Sequence, residues 1–173
     1  MICFFISFII IFLFIVNVRI VPEKKEYIVE RLGKYKVTWQ NGIHVKIPFI
    51  DRIIGVISLK EKIKGYSFSK ILTKDNKEII VDLFVYFKIE NSFKYFYENE
   101  NPLLIINLLI ENELRNLVRK IKSSKVFDKK DKLENGLVDL IKNEMEKYGI
   151  QFLKAEIKSV TEVERWKKIK RKK

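Results

Sequence analysis

The first sixteen residues, MICFFISFIIIFLFIV, carry one polar side chain, Ser7, and no charged one. As a helix this run spans about 24 Å, short of the roughly 30 Å hydrocarbon core of a bilayer. Continued through Val18, Ile20 and Val21 to Pro22 it reaches about 31 Å. Asn17 and Arg19 then fall near the interface, where an arginine can extend its charged head into water. A cleaved signal peptide is the main competitor, and it needs a basic start and a small-x-small exit. Nothing before Arg19 is charged, and Val16, Asn17 and Val18 make a poor cleavage context. A membrane-dipping hairpin is a further alternative, although no Pro or Gly lies inside the run to turn it. The expectation is a retained single-pass anchor over residues 1–21. Arg19, Lys24 and Lys25 follow it closely, so the positive-inside rule puts the body in the cytoplasm. An organelle membrane, the mitochondrial inner membrane included, stays open as a location.

At the other end, Arg165 to Lys173 hold seven basic residues and no acid. They contribute more than half of the formal net charge of +13. Residues 161–173 therefore read as a basic tail, and Lys167, Lys168, Lys170, Arg171, Lys172 and Lys173 as contacts for anionic lipid headgroups. Nucleic-acid phosphate is the other polyanion such a tail could meet; a solvated terminus is the plain alternative.

Between these ends lies a body over residues 22–160. Tyr35, Val37 and Trp39 alternate on one face of a strand. Gln40-Asn41-Gly42 reads as the turn of a hairpin into Ile43–Ile47, which Pro48 ends. Another strand covers Ile53–Leu59, and Gly65 marks a break. Ile79–Ile89 is the strongest strand, with Val81, Leu83, Val85, Phe87 and Ile89 on one face. Its other face carries Ile80, Phe84 and Tyr86 together with Asp82 and Lys88, and a strand apolar on both faces predicts a sheet covered by helices. Helical spacing follows. Asn101 caps and Pro102 opens a helix whose apolar face is Leu103, Ile106, Ile110, Leu114, Leu117 and Ile121. Asp128 is the expected cap of a second helix, with Leu133, Leu137, Leu140, Ile141, Met145 and Tyr148 on its face and Gly149 at its end. Ile150–Ile157 returns to strand. The order predicts an α+β fold, a curled antiparallel sheet packed with helices.

Four stretches carry a family resemblance: IVPEKKEYIVERLGKYKVTWQNGIHVKIPFIDRI (Ile20–Ile53), ILTKDNKEIIVDLFVYFKI (Ile71–Ile89), NPLLIINLLIENELRNLVRK (Asn101–Lys120) and YGIQFLKAEIKSV (Tyr148–Val160). In this order they resemble the stomatin branch of the Band 7 (SPFH, prohibitin homology) family. The resemblance implies a Band 7 domain on a membrane. It also implies self-association into rings or cages and a scaffold role toward lipids and membrane proteins, in several members a membrane protease or channel. Family members usually continue into a long Ala- and Glu-rich helix that drives assembly. This sequence instead runs to WKKIKRKK soon after EIKSV, so a weakened homo-oligomer is expected.

Residues that could carry chemistry are few. His44 is the single histidine and follows a turn, which favours an ordinary strand histidine over a catalytic one. Cys3 is the single cysteine, so no intrachain disulfide can form. Within an apolar anchor it is a candidate for acylation or a small packing residue. Asp75 and Asn76 in TKDN supply too few ligands for calcium or magnesium and read as a turn. Glu111 and Glu113, two apart on a helix, do not face each other. The six glycines form no phosphate-cradling cluster. Trp39, Tyr27, Tyr35 and Phe49 flank the early strands, either packed in the core or laid against headgroups. No catalytic, cofactor or metal site is expected. The leading reading is a membrane-anchored scaffold, with membrane lipids and a membrane protease or channel as partners. The alternatives are a membrane tether for nucleic acid through the tail, for which no recognised module is present, and a cryptic hydrolase with only isolated candidate residues.

Overall fold

A computed structural model describes residues 1, 4, 17–98 and 100–163. They divide into two compact units, Met1–Lys60 and Glu61–Lys173.

Unit 1 is built from strands. β1 (Val18–Val21) pairs antiparallel with β4 (Gly42–Val45). β2 (Lys25–Arg31) is the centre of a second sheet, with β3 (Lys34–Trp39) on one side and β5 (Asp51–Ser58) on the other. Arg31 opposes Lys34, so Leu32-Gly33 is a two-residue hairpin loop. Both loop residues have positive φ, 52° and 79°, as a type I′ turn requires. One core cluster of this unit is Val21, Val29 and Trp39, with Tyr27 and Ile53 packed against them, and Ile28 and Ile57 are also buried.

Three expectations are corrected in unit 1. The anchor helix does not continue to Val21, because Val18–Val21 is strand β1. The Asn41-Gly42 hairpin is not formed: β3 pairs with β2, and β4 pairs with β1. A type I′ turn needs positive φ at both central residues. Gly42 has it, at 129°, but Asn41 is not among the positive-φ residues. The turn geometry is met instead at Leu32-Gly33. Tyr35 and Val37 are exposed on β3, so of the alternating trio only Trp39 reaches the core.

Unit 2 is a three-stranded antiparallel sheet, β6 (Lys62–Leu72), β7 (Glu78–Ile89) and β8 (Ile150–Glu162), with β7 central. Between β7 and β8 run α1 (Ser92–Tyr97), α2 (Pro102–Val118) and α3 (Lys130–Lys147). Asn101 caps α2 by accepting from Leu104 N at 3.2 Å, and Pro102 sits in the first turn. Ile106, Ile110, Leu114 and Val118 form its buried stripe; Leu133, Leu137, Ile141 and Met145 form that of α3. Both stripes pack on Val81, Leu83, Val85 and Phe87 of β7. Gly149 leaves α3 with φ 69°, and its carbonyl accepts from Glu90 N at 2.9 Å and Asn91 N at 3.1 Å.

Four expectations differ in unit 2. Gly65 does not break the chain but lies inside β6 opposite Phe84, whose ring covers the position a Cβ would take at 3.1 Å. α3 starts at Lys130 with Lys129 at the cap position and no side-chain cap, so Asp128 does not cap it. Leu140 is exposed, being one residue, about 100° of helix, away from the stripe that Ile141 occupies. Finally, the helices cover one face of β7 only. Phe84 on the other face is 37% exposed, and Asp82 there accepts from Ser67 Oγ and Ser159 Oγ, each at 2.6 Å.

Candidate membrane-contact surface

Paired residues on neighbouring strands share a face of a sheet. In the β1–β4 ribbon Val18 opposes Val45 and Ile20 opposes Ile43, so four β-branched side chains stand on one face. Ile20 is 71% and Ile43 74% exposed. The opposite face carries Arg19 against His44, and His44 stacks on Trp39 with ring centroids 5.0 Å apart. His44 Nε2 also lies 2.8 Å from Gln40 O. The single histidine is thus a strand residue engaged with a tryptophan and a turn.

The loop after β4 also exposes apolar side chains. Ile47 and Ile50 are exposed, and Phe49 is 100% exposed with φ 66°. Asp51 holds this conformation. Its buried carboxylate accepts from Arg31 Nε at 2.7 Å, Arg31 Nη2 at 3.2 Å and Ile47 N at 2.9 Å. Asp51 N returns a bond to Ile47 O at 3.0 Å, and Leu32 N donates to Ile50 O at 3.1 Å. The Arg31 hydrogen bonds, opposed by burial, hold the Asp51 carboxyl below its ordinary range. A charged staple on the inner side thus presents Phe49 outward. Exposing a phenylalanine and several branched side chains together is costly in water, and such patches mark contact with another molecule or with a membrane.

The residues singled out on sequence fall into three groups. Trp39 is core and Tyr27 packs against it; Tyr35 is exposed and its hydroxyl lies 3.0 Å from Thr38 Oγ1; Phe49 is fully on the surface. Asp75 is indeed in a turn, between β6 and β7. It accepts from Thr73 Oγ1 at 2.7 Å, Ser123 N at 2.8 Å and Ser123 Oγ at 2.9 Å, and these bonds, led by the threonine's, place it well below the usual carboxylate range. Glu111 pairs with Arg115 at 2.6 Å, and Arg115 Nη1 continues to the carbonyl of Lys70 at 2.8 Å, closing a bulge in β6. Glu113 instead lies near the Asn116 amide. Cys3, most of the anchor and the six basic tail residues lie outside the described residues. Among the described residues no helix is long and apolar enough to cross a membrane, and no group of three or more His, Cys, Asp or Glu could hold a metal.

Asp51 and the β1–β4 face were not anticipated as a unit. The alternation Ile43-His44-Val45-Lys46-Ile47 is visible in the sequence, but the hairpin reading pairs it with the wrong strand and so does not bring Val18 and Ile20 beside it.

The sequence model of the SPFH domain / Band 7 family matches residues 19–168. Human stomatin-like protein 2, mitochondrial, is 31% identical over 143 residues, 83% of this chain and 40% of that protein. The rat protein of the same name is 31% identical over 140 residues, 81% of this chain and 40% of its own length. An uncharacterised protein of Methanothermobacter thermautotrophicus is 25% identical over 144 residues, 83% of this chain and 45% of that protein. The chain spans less than half the length of these curated relatives.

Proposed function

The chain belongs to the SPFH domain / Band 7 family, and on that premise we propose that it is a membrane-bound scaffold whose unit 1 lies against the bilayer. The observation that carries this reading is continuity. The apolar run Met1–Val16 leads through Asn17 directly into β1, whose exposed Val18 and Ile20 join Ile43 and Val45 on one apolar face, and the loop that follows β4 exposes Phe49. In this reading the run inserts as the anchor, and the ribbon and the Phe49 loop rest in the headgroup and acyl boundary. Moving such a side chain out of water is favourable by up to about 1.5–3 kcal/mol each. A few of them acting with an anchor give stable attachment.

Two further attachments belong to the same reading. In this reading Cys3 takes a fatty acyl chain, and the basic residues of 167–173 meet anionic headgroups. Held on a membrane, copies of the chain reach high effective concentration. Self-association then lets them organise lipids and hold neighbouring membrane proteins, a protease or channel among them. No catalytic step is assigned to the chain. The test is extraction: the full chain should remain in the membrane pellet after high salt and after alkaline carbonate. Release into the supernatant by carbonate would reject the anchor and the reading with it.

A further inference from the structure

The formal charge of the chain is concentrated at two segments. Between Arg119 and Lys132, the connector from α2 to α3 with the first residues of α3, seven basic residues stand against Asp128 and Asp131. Residues 164–173 hold seven basic residues against one acid. Together these account for +11 of the +13, leaving +2 for all other residues. The described connector and the end of β8, from which the second segment continues, meet at a concavity of about 470 Å³. Its walls are Ser123, Ser124, Phe127, Val160, Thr161 and Glu162, over Ile79.

The acids at this place are already engaged. Glu162 pairs with Lys77 at 3.1 Å, and Asp75 is held by Thr73 and Ser123. Among the described residues, none of the connector's basic side chains takes part in an ion pair. Lys129 and Lys130 moreover lie at the amino end of α3, where a helix favours acids and cations lower its stability. Lys129 and Lys130 thus do not serve α3, whereas Arg119 and Lys120 lie at the carboxyl end of α2, where cations are favoured.

We propose that this end of unit 2 docks an acidic segment of a partner protein, with an apolar side chain of that segment seated in the concavity. The shape selects a protein segment over the other polyanions. A bilayer surface is flat and leaves a recess empty, whereas pockets of about 300–1,000 Å³ enclose compact organic groups. A nucleic-acid base needs an open aromatic face for stacking. Phe127 is 50% exposed, but Lys130 Nζ stands 5.6 Å from its ring centroid. The remaining lining, Val160 and Phe127 with the hydroxyls of Ser124 and Thr161, suits an aliphatic side chain and the peptide groups beside it. Lys122 and Lys125 flank the two serines in sequence and meet the segment's carboxylates. This deepens the scaffold reading by giving the held partner a chemistry.

The test uses the full chain in neutral phosphatidylcholine nanodiscs, with Lys167, Lys168, Lys170, Arg171, Lys172 and Lys173 changed to Gln so that the tail takes no part. The probe is a fluorescein-labelled Glu-rich peptide with one central Leu, read by anisotropy. Saturable binding is expected, weakened about tenfold or more, about 1.4 kcal/mol, by Lys122→Glu with Lys125→Glu, by Phe127→Ser, or by replacing the peptide's Leu with Ser. The exposed lysine variants should keep the parent melting curve, so they remain informative if Phe127→Ser unfolds. Absence of saturable binding overturns the proposal. So does binding indifferent to both Phe127→Ser and the peptide's Leu, or tighter binding to phosphatidylserine vesicles or to a single-stranded oligonucleotide. Carbonate extraction is run on the same variants. Absence of saturable peptide binding to the chain that keeps Lys122, Lys125 and Phe127, with its membrane retention intact, sinks this inference alone, and loss of its retention sinks the scaffold reading.

Discussion

Replacing Gly149 with Ala tests how the two ends of the helical layer in unit 2 are joined. At φ 69° an L side chain is strained by about 1–2 kcal/mol. The added Cβ would also overlap the carbonyl oxygen of Asn91 and stand 3.0 Å from both Lys94 Cβ and Tyr95 N. Two of these three atoms are backbone, so no side-chain rotation relieves the contact. The start of α1 must move, loosening the bonds from Glu90 N and Asn91 N to Gly149 O, worth about 0.5–1.5 kcal/mol each. The total is about 3–4 kcal/mol, a fall in melting temperature of roughly 10 °C for a chain of this size. Gly33 supplies the control. Its φ is 79°, yet nothing lies within 4 Å of its Cβ position. Gly33→Ala should therefore show the conformational cost alone, about 1–2 kcal/mol. Thermal melts of both variants by circular dichroism decide the matter. Equal losses would show that the packing of Gly149 against α1 is not as described.

Leu114 and Leu137 are fully buried on α2 and α3; changing either to Asp should unfold unit 2, at a cost on the order of 3 kcal/mol or more, and an unchanged melting temperature would refute the stripes. Asn101→Ala should cost about 1 kcal/mol by removing the cap on Leu104 N, read from urea melts. The lowered Asp51 carboxyl contributes stability that is complete above its unfolded value of about 4 and is lost as pH falls below it. Asp51→Asn should therefore flatten the decline of melting temperature on acidification from about pH 4. Some decline should persist, because Asp75, Glu156 and Glu162 are also lowered, chiefly by the Thr73, Lys154 and Lys77 hydrogen bonds. Changing the six basic tail residues to Gln should leave the melting curve unaltered while weakening attachment to anionic vesicles, measured by flotation at two salt concentrations.

The helical layer was legible because its signals are local and redundant. Asn101 with Pro102 marks a helix start by capping chemistry alone, and Ile106, Ile110 and Leu114 repeat at one helical period. Strand partners were not legible, because pairing is a long-range choice. Asn41-Gly42 is a stronger hairpin signal than Leu32-Gly33, yet the chain places its two-residue turn at the latter, since the partner of β4 is a strand twenty-odd residues earlier. Val18–Val21 shows the same limit from the other side. Four residues rich in valine and isoleucine extend an apolar helix as well as they form a ribbon edge, and only the alternation of Ile43 and Val45 across from them decides. The membrane-facing reading of Phe49 could be raised from composition, but its full exposure depends on Asp51, whose partners Arg31 and Ile47 lie on either side of two turns. β6 is not legible in the sequence because Gly65 reads as a break, whereas its missing side chain makes room for the Phe84 ring.

The central claim is that the β1–β4 face rests in the bilayer boundary. The most direct test is a spin label placed in turn at Ile43 and at Leu108, after Cys3→Ser, in the full chain reconstituted in vesicles. Both positions are exposed apolar residues, one on the proposed contact face and one on α2 in unit 2. The label at position 43 should relax readily with oxygen and be shielded from a water-soluble nickel reagent, and the label at 108 should show the reverse. Nickel access at 43 equal to that at 108, with the chain still pelleting with the vesicles, would contradict the account.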